Sequence, residues 1–172
     1  MIEFYKKGSI TENESNLLIR YAAKATNNIV EIGGFQGRTS IQLANNCDYH
    51  VYVIDSWNGN KVDEGVYLNK NVFDSNIKAF NLSDRVTGIK GYSVDILKTW
   101  NKPIGLLFID GCHTYKAVKN DTKWIEYVIK GGFIAFHDYS DQYKDRVVKA
   151  VDEVKNSLRY VDSVESLIIF QK

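Results

Sequence analysis

The segment FIDGCHTY, residues 108–115, places several chemically active side chains directly after an apolar run. A second such group, in FIAFHDY, sets His137 beside Asp138. Carboxylates are the ligands that hard divalent cations prefer, and imidazoles can accept a proton from a substrate. Asp110 and Asp138 are therefore candidate metal ligands, and His113 and His137 are candidate general bases.

The apolar runs that end at these two groups are typical of neighbouring buried strands, which lie about 4.8 Å apart in a sheet. At that spacing Asp110 and Asp138 can direct their carboxylates at one ion. Two hard oxygen ligands, with water and substrate completing an octahedron, suit Mg²⁺ better than Zn²⁺. The alternative is a metal-free site in which the two aspartates orient the substrate or cap helices.

His113 is the first candidate for the base because the unperturbed pKa of histidine, about 6.5, leaves much of the imidazole neutral near pH 7. His137 is the second candidate. For either side chain the alternative is a structural histidine that is hydrogen-bonded inside a loop. Two of the three histidines of the chain stand beside candidate carboxylates, which favours a chemical role.

The elements that position these residues follow from the periodicity of the sequence. Short apolar segments rich in β-branched and aromatic residues alternate with amphipathic segments, which is typical of an α/β domain. Strands such as IGLLFI are apolar on both faces, as in a parallel sheet covered by helices on each side. The last two strands are too close in sequence for a parallel crossover, so we expect an antiparallel hairpin there.

The prediction is one domain, residues 1–172, built on a doubly wound, mostly parallel, seven-stranded Rossmann-like sheet with a C-terminal antiparallel hairpin. The predicted strands cover residues 28–32, 50–54, 85–89, 104–109, 133–136, 159–162 and 166–171. The predicted helices cover residues 12–25, 39–45, 72–81, 115–129 and 145–157.

Ligands of such sheets bind at the carboxyl ends of the strands, beside the point where the strand order reverses. Four acidic residues, Glu31, Asp55, Asp110 and Asp138, fall at carboxyl ends of predicted strands. His50 lies at the amino end of its strand, on the opposite rim, and we expect it to be structural.

The first predicted strand runs into the glycine-rich turn IGGFQGRTS. Gly33, Gly34 and Gly37 allow a sharp turn and a close approach of a ligand to the backbone before the next helix. The turn lacks the GxGxxG spacing of dinucleotide-binding proteins. An anionic Glu31 before it would repel a pyrophosphate and favour a cationic cofactor. The alternative is a tight structural turn with an incidental acid.

Asp55 ends the second predicted strand, in VYVIDSW. A carboxylate at this position can accept hydrogen bonds from both hydroxyls of a ribose. The alternative is that Asp55 caps the turn that follows. Trp57, two residues later, either covers the cofactor or plugs a loop against the core.

Taken in order, these motifs resemble one family. The segments VEIGGFQGRTS, VYVIDSW, DRVTGIKGYSVDIL and IGLLFIDGCHTYKAVKNDTKWIEYVIKGGFIAFHDY are similar to class I S-adenosylmethionine-dependent methyltransferases. Within that class they most resemble the bacterial small-molecule O-methyltransferases related to macrocin O-methyltransferase. The resemblance implies a methionine end held by the glycine turn, a ribose held by Asp55, and an adenine bordered by residues 91–93. It also implies a divalent metal bound by carboxylates at the ends of the fourth and fifth strands.

The sequence departs from that family at three positions: Tyr92 stands where many relatives have Asp, Cys112 where some have an aspartate proposed as the base, and His137 where some have a second acid. The residues assigned to the cofactor are Glu31, Gly33, Gly34, Gly37, Asp55, Trp57, Gly91, Tyr92, Ser93 and Asp110.

The predicted function is S-adenosylmethionine-dependent O-methylation of a small hydroxylated acceptor, a sugar or a phenolic natural product, with Mg²⁺ as the candidate metal. Two other classes stay open. One is a cofactor-binding module without turnover. The other is an NAD-dependent dehydrogenase, which the missing GxGxxG and Glu31 disfavour.

Composition excludes several other classes. The formal net charge is +1, and Lys and Arg are dispersed, so nothing predicts a nucleic acid partner. No signal peptide and no apolar run of about 18 residues is found, so we expect a cytoplasmic protein without a membrane partner. Cys47 and Cys112 lack CxxC companions and are expected to be reduced thiols. The expected partner is the small-molecule acceptor, and a homo-oligomer stays open.

Overall fold

The computed structural model describes Phe4 and residues 9–172. Its strands are β1 Asn28–Ile32, β2 Val51–Asp55, β3 Lys61–Asp63, β4 Val66–Tyr67, β5 Val86–Lys90, β6 Ile104–Ile109, β7 Val128–Phe136, β8 Arg159–Val164 and β9 Leu167–Gln171. Its α-helices are α1 Glu12–Ala22, α2 Arg38–Asn45, α3 Lys70–Ala79, α4 Ser93–Ile96, α5 Tyr115–Asp121 and α6 Lys149–Asp152.

Seven of the strands form one sheet in the order β5-β2-β1-β6-β7-β9-β8. The pairs among β5, β2, β1, β6 and β7 are parallel, and β9 runs antiparallel to both β7 and β8. The predicted Rossmann-like sheet and its C-terminal hairpin are therefore confirmed. The strand order reverses between β1 and β6, which is where a ligand site is expected in such a sheet.

Successive residues of the central strand β1 enter different cores. Ile29 packs in one core with residues of α1, α2 and α3, whereas Val30 packs in another core with residues of α5 and α6. This alternation follows from the two-residue period of a strand. It leaves the central strands apolar on both faces, and polar groups are concentrated at the strand ends.

The predicted helix over residues 115–129 is wrong in its second half. The α-helix ends at Asp121, a 3₁₀ segment runs from Thr122 to Tyr127, and β7 begins at Val128, five residues before the predicted start. Trp124 of the 3₁₀ segment is fully buried, with its ring 5.1 Å from that of Trp100. Apolar spacing alone does not separate the tighter 3₁₀ turn from an α-helix, because both bury one face.

The predicted helix over residues 145–157 is also interrupted. It consists of a π segment Lys144–Val148, the short α6, and a 3₁₀ turn Lys155–Ser157. Residues 58–67, which lie outside all of the predicted strands and helices, contain the small hairpin of β3 and β4, whose turn includes Gly65 at φ +71°. None of the helices in the described part of the chain is long and apolar enough to cross a membrane.

Candidate active site

A cavity of about 740 Å³ opens at the carboxyl ends of β1, β2, β5 and β6, at the reversal of strand order. This volume is within the usual range of small-molecule sites. Its wall includes most of the residues assigned to the cofactor from the sequence: Glu31, Gly33, Gly34, Asp55, Gly91, Tyr92, Ser93 and Asp110. Gly37 and Trp57 are not part of that wall.

The glycine turn brings the ends of β1 and β6 into backbone contact. Gly33 has φ +99°, and a Cβ atom there would stand 2.1 Å from the backbone oxygen of Asp110. The Gly33 amide donates to the Ile54 oxygen at 2.8 Å, and the Asp110 amide donates to the Ile32 oxygen at 2.9 Å. Only glycine fits this position, because any side chain would push the two strand ends apart.

Gly37 and Trp57 have structural surroundings instead. Gly37 is the left-handed N-cap residue before α2, at φ +86°, and it packs against Phe73. Trp57 is 2% exposed, packs on Phe73 with ring centres 4.7 Å apart, and donates from Nε1 to the Phe35 oxygen at 2.8 Å. Of the two interpretations of Trp57 from the sequence, the structure fits the plug against the core.

Glu31 is fully buried and accepts a hydrogen bond from the Ser40 hydroxyl. Burial is the main cause that raises its pKa to about 8, and the carboxylates of Asp110 and Asp55 add to it. The side chain that the sequence suggested as a cavity anion is therefore mostly protonated near pH 7 in this structure. A cation bound in the cavity would favour its ionised form.

Asp55 does cap the turn that follows it, and it also faces the cavity. Its Oδ2 accepts from the Phe35 amide at 2.9 Å and its Oδ1 from the Trp57 amide at 3.0 Å. Each carboxylate oxygen has a second lone pair, so these bonds still allow it to accept from ligand hydroxyls. The two interpretations of Asp55 are compatible.

The far end of the cavity contains an acid that the sequence analysis missed. Asp121 lines the cavity at 3% exposure and accepts a hydrogen bond from the Ser93 hydroxyl. Burial is the main cause that raises the pKa of Asp121 to about 6. The sequence could have indicated that Asp121 is buried, because it lies three residues after Val118 and therefore on the same helix face. Tyr92 is 61% exposed at the mouth of this end.

Two further cavity residues, Arg38 and Thr39, begin α2 and were also missed. A helix N-terminus with a cationic side chain suits an anionic group of a ligand. The sequence could have indicated these two residues as part of the site, because they come directly after the glycine turn.

The carboxylates predicted to act together lie in one cluster with His137. Asp110, His137 and Asp138 each offer a ligand atom, and these atoms lie within 4.8 Å of one another. His137 Nδ1 is 3.0 Å from Asp110 Oδ1 and 3.4 Å from Asp138 Oδ2. Asp138 has φ +57°, a left-handed conformation that is uncommon outside glycine and that turns the chain directly after β7.

These contacts determine which side chains of the cluster are protonated. Burial, the largest influence, lowers the pKa of His137, but hydrogen bonds with Asp110 and Asp138 outweigh it and raise that pKa to about 11. Burial likewise opposes ionisation of Asp138, but His113 and His137 hold the pKa of its carboxyl well below the usual range. The His137 ring is 6% exposed, and on its other side Nε2 is 3.1 Å from Glu14 Oε2.

His113 faces both the cavity and the carboxylates. Its Nε2 lies 2.9 Å from Asp138 Oδ2 and 3.8 Å from Asp110 Oδ1, yet it is buried and makes no well-directed hydrogen bond to any described residue. The two carboxylates raise the pKa of His113 to about 9. In this state His113 is an imidazolium near pH 7, contrary to the neutral form assumed from the sequence. Its ring packs edge-on to Tyr143 at 5.1 Å.

Two further residues discussed from the sequence are His50, which lies far from this cluster, and Cys112, which lies in the cavity wall near it. His50 stands before β2 at the amino end of the sheet, where its Nε2 is 2.8 Å from the Thr87 hydroxyl. Cys112 is exposed, lines the cavity and carries a free thiol, as does the buried Cys47.

Residues 30–139 match the protein family described as "Methyltransferase domain". An uncharacterised protein of Acanthamoeba polyphaga mimivirus is 38% identical over an alignment of 133 residues that covers 73% of this chain. The chain spans 58% of the length of that relative.

Solved structures share the fold at low sequence identity. The O-methyltransferase NovP has a TM-score of 0.76 at 18% identity, over 92% of this chain and 78% of its own. An O-methyltransferase from Bacillus cereus, in complex with SAH, has a TM-score of 0.71 at 18% identity, over 97% of this chain and 84% of its own.

Proposed function

The chain belongs to the methyltransferase-domain family, and from that premise we propose that it transfers the methyl group of S-adenosylmethionine to a hydroxyl oxygen of a small acceptor. The observation that carries the proposal is the cavity itself, which joins the glycine turn at Gly33 to the carboxylate–histidine cluster at Asp110 and His113. The acceptor class we propose is a sugar or a phenolic natural product. The solved structures that share the fold include enzymes described as O-methyltransferases.

The cofactor would lie across the strand ends. Its methionine end would face the turn at Gly33 and Gly34, with its sulfonium near Glu31, whose ionised form a cation favours. Its ribose would lie against Asp55, and its adenine between the loop of residues 91–93 and Asp121. Arg38 and Thr39 suit the methionine carboxylate.

Methyl transfer needs an aligned acceptor oxygen and a place for its proton. The fold supplies alignment, because the cofactor residues at the ends of β1, β2 and β5 and the cluster at the ends of β6 and β7 lie on one edge of the same sheet. His113 is the proposed base because it faces the cavity, but it must first be neutral. Its pKa of about 9 is caused by Asp110 and Asp138, so positive charge at those carboxylates would lower it.

The residues of the cluster fit a divalent cation. Adjacent ligands of an octahedral ion with bonds of about 2.1 Å stand about 3.0 Å apart, and the contacts of His137 Nδ1 with Asp110 and Asp138 are 3.0 and 3.4 Å. We propose Asp110, Asp138 and His137 as the ligands. A bound Mg²⁺ would compensate the carboxylates and lower the pKa of an acceptor hydroxyl.

Cofactor class is tested by calorimetric titration of the protein with S-adenosylhomocysteine and with NAD. We expect binding of the first and none of the second. Binding of NAD alone would contradict the proposal and favour a dehydrogenase.

Turnover is tested by incubating the protein and methyl-labelled S-adenosylmethionine with a panel of sugars and phenols, with EDTA and then with added Mg²⁺. Loss of labelled product in EDTA and its return with Mg²⁺ support the metal. Undiminished turnover in EDTA and in an Asp138→Asn variant would exclude it. S-adenosylhomocysteine binding without product from any acceptor would favour the cofactor-binding module. The observation that favours this module is Cys112, which stands where some relatives have an aspartate proposed as the base.

A further inference from the structure

Glu14 is a buried carboxylate outside the cavity wall that makes contact with the cluster. It is 1% exposed in the first turn of α1, and its Oε2 lies 3.1 Å from His137 Nε2, although 123 positions separate the two residues. The sequence TENE marks Glu14 only as the third residue of a capping box with Thr11. A capping-box acid needs no burial and no distant partner, so its contact with His137 calls for another explanation.

Every other strong donor around Glu14 is fixed by the fold. The Thr11 amide donates to Oε2 at 2.9 Å, and the Ser166 amide and hydroxyl donate to Oε1 at 2.9 and 2.6 Å. Ser166 belongs to the turn between β8 and β9, so α1 and the C-terminal hairpin hold the carboxylate from two sides. Glu14 cannot rotate away from His137 without losing these bonds.

An ionised carboxylate only accepts hydrogen bonds. The amides of Thr11 and Ser166 and the Ser166 hydroxyl all donate to Glu14, so both of its oxygens act as acceptors. The group that faces Glu14 must therefore be an N–H, which places a proton on Nε2 of His137.

We propose that Glu14 is a positioning residue that keeps the proton of His137 on Nε2 and thereby presents the Nδ1 lone pair to a divalent cation between Asp110 and Asp138. The inference rests on the metal site of the proposed function. A neutral imidazole carries one N–H, and without a strong acceptor at Nε2 that proton would move to Nδ1, where Asp110 accepts at 3.0 Å. That tautomer has no lone pair for the ion. Carboxylates that orient a metal-binding histidine in this way typically change metal affinity 10-fold to 100-fold.

The test uses Glu14→Gln, because glutamine retains the capping box. Thr11 and His137 both contact Oε2 of Glu14, so a glutamine that keeps the capping box offers Nε2 a neutral amide oxygen in place of a carboxylate, a weaker acceptor that holds the Nε2 proton less strongly. We expect Mg²⁺ affinity, measured by calorimetry on the full chain without acceptor, to fall about 10-fold to 100-fold. The matched control is Thr11→Val, which removes the hydroxyl that caps the Glu14 amide and leaves the Glu14–His137 contact in place. It should bind Mg²⁺ as the wild type does.

The tautomer is read directly, and without any variant, from ¹⁵N chemical shifts of histidine-labelled wild-type protein saturated with Mg²⁺. We expect His137 to show a protonated Nε2 and an unprotonated Nδ1. A proton on Nδ1, or equal Mg²⁺ affinity of the wild type and a folded Glu14→Gln variant, would overturn the positioning role alone. Failure of the wild type to bind either Mg²⁺ or Zn²⁺, which accepts imidazole ligands more readily, would overturn the metal site, and the positioning role with it.

Discussion

Asp55 offers a test of the cofactor site in which the structural and binding contributions of one carboxylate can be separated. We expect Asp55→Ala to lose the acceptor for two ribose hydroxyls. Hydrogen bonds to a charged group contribute about 1.5 to 3 kcal/mol, so S-adenosylhomocysteine binding should weaken about 10-fold to 150-fold. The assay is calorimetric titration of the variant, with circular dichroism to show that it is folded.

The same substitution also removes the acceptor of two backbone amides, those of Phe35 at 2.9 Å and Trp57 at 3.0 Å. A suitable control is Asp63→Ala, because the Asp63 carboxylate accepts from the Glu64 amide at 2.8 Å but does not line the cavity. We expect the control to retain wild-type affinity for S-adenosylhomocysteine. Equal weakening in both variants would mean that turn stability, not ribose contact, is measured.

An analogue of S-adenosylhomocysteine that lacks both ribose hydroxyls allows a thermodynamic cycle in which the protein and the ligand are each changed separately and then together. The wild type should bind this dideoxy analogue as weakly as Asp55→Ala binds S-adenosylhomocysteine, and the variant should show little further loss, because the interaction is already absent. The assignment of Asp55 to the ribose is refuted if the folded variant binds S-adenosylhomocysteine normally. It is also refuted if the variant still discriminates between the two ligands as strongly as the wild type.

Three further predictions concern the turn, the base and the pH dependence of stability. Gly33→Ala should destabilise the fold far more than Gly59→Ala in denaturant unfolding: both have positive φ, but a Cβ at residue 33 meets the Asp110 backbone at 2.1 Å, and one at residue 59 meets nothing within 4 Å. His113→Ala should lower single-turnover methyl transfer about 100-fold to 10,000-fold while S-adenosylhomocysteine affinity is retained; a full rate would exclude His113 as the base. Because folding lowers the pKa of Glu14 from 4.5 to about 2, its contribution is complete above pH 4.5 and is lost as the pH falls toward 2. Between pH 4.5 and pH 2 the free energy of unfolding of the wild type should therefore decrease by at most about 3 kcal/mol more than that of Glu14→Gln. Parallel plots of this free energy against pH for the two proteins would contradict the prediction.

The sheet could be predicted from the sequence because its strands are short, apolar and separated by clear helical patterns. β1 and β6 begin and end at the predicted residues. The positions of Asp110 and Asp138 followed as well, since carboxyl ends of neighbouring parallel strands meet at one edge. The 3₁₀ segment around Trp124 could not be predicted in the same way, because its buried spacing is compatible with an α-helix.

The parts of the site that escaped prediction depend on contacts between distant segments. Glu14 is explained locally by its capping box, and nothing in TENE indicates that the same carboxylate contacts His137 across 123 positions. Trp57 follows Asp55 closely in sequence, yet its backbone takes φ +35° and its ring enters the core beside Phe73. Side-chain direction after a strand end depends on such turn geometry, and the spacing of residue types does not encode it.

The protonation of the cluster links the two halves of the proposed chemistry. Asp110 and Asp138 lie next to the imidazoles of His113 and His137. In this structure the two negative carboxylates raise the pKa of both imidazoles, so the protonated imidazoles compensate the negative charge. A divalent cation at the same carboxylates would provide that balance instead, and His113 could then be neutral near pH 7. The base and the metal are therefore not independent proposals. If the cation is absent, the structure predicts a protonated His113 that cannot accept a hydroxyl proton, so loss of the metal and loss of the base should have the same effect on the chemical step.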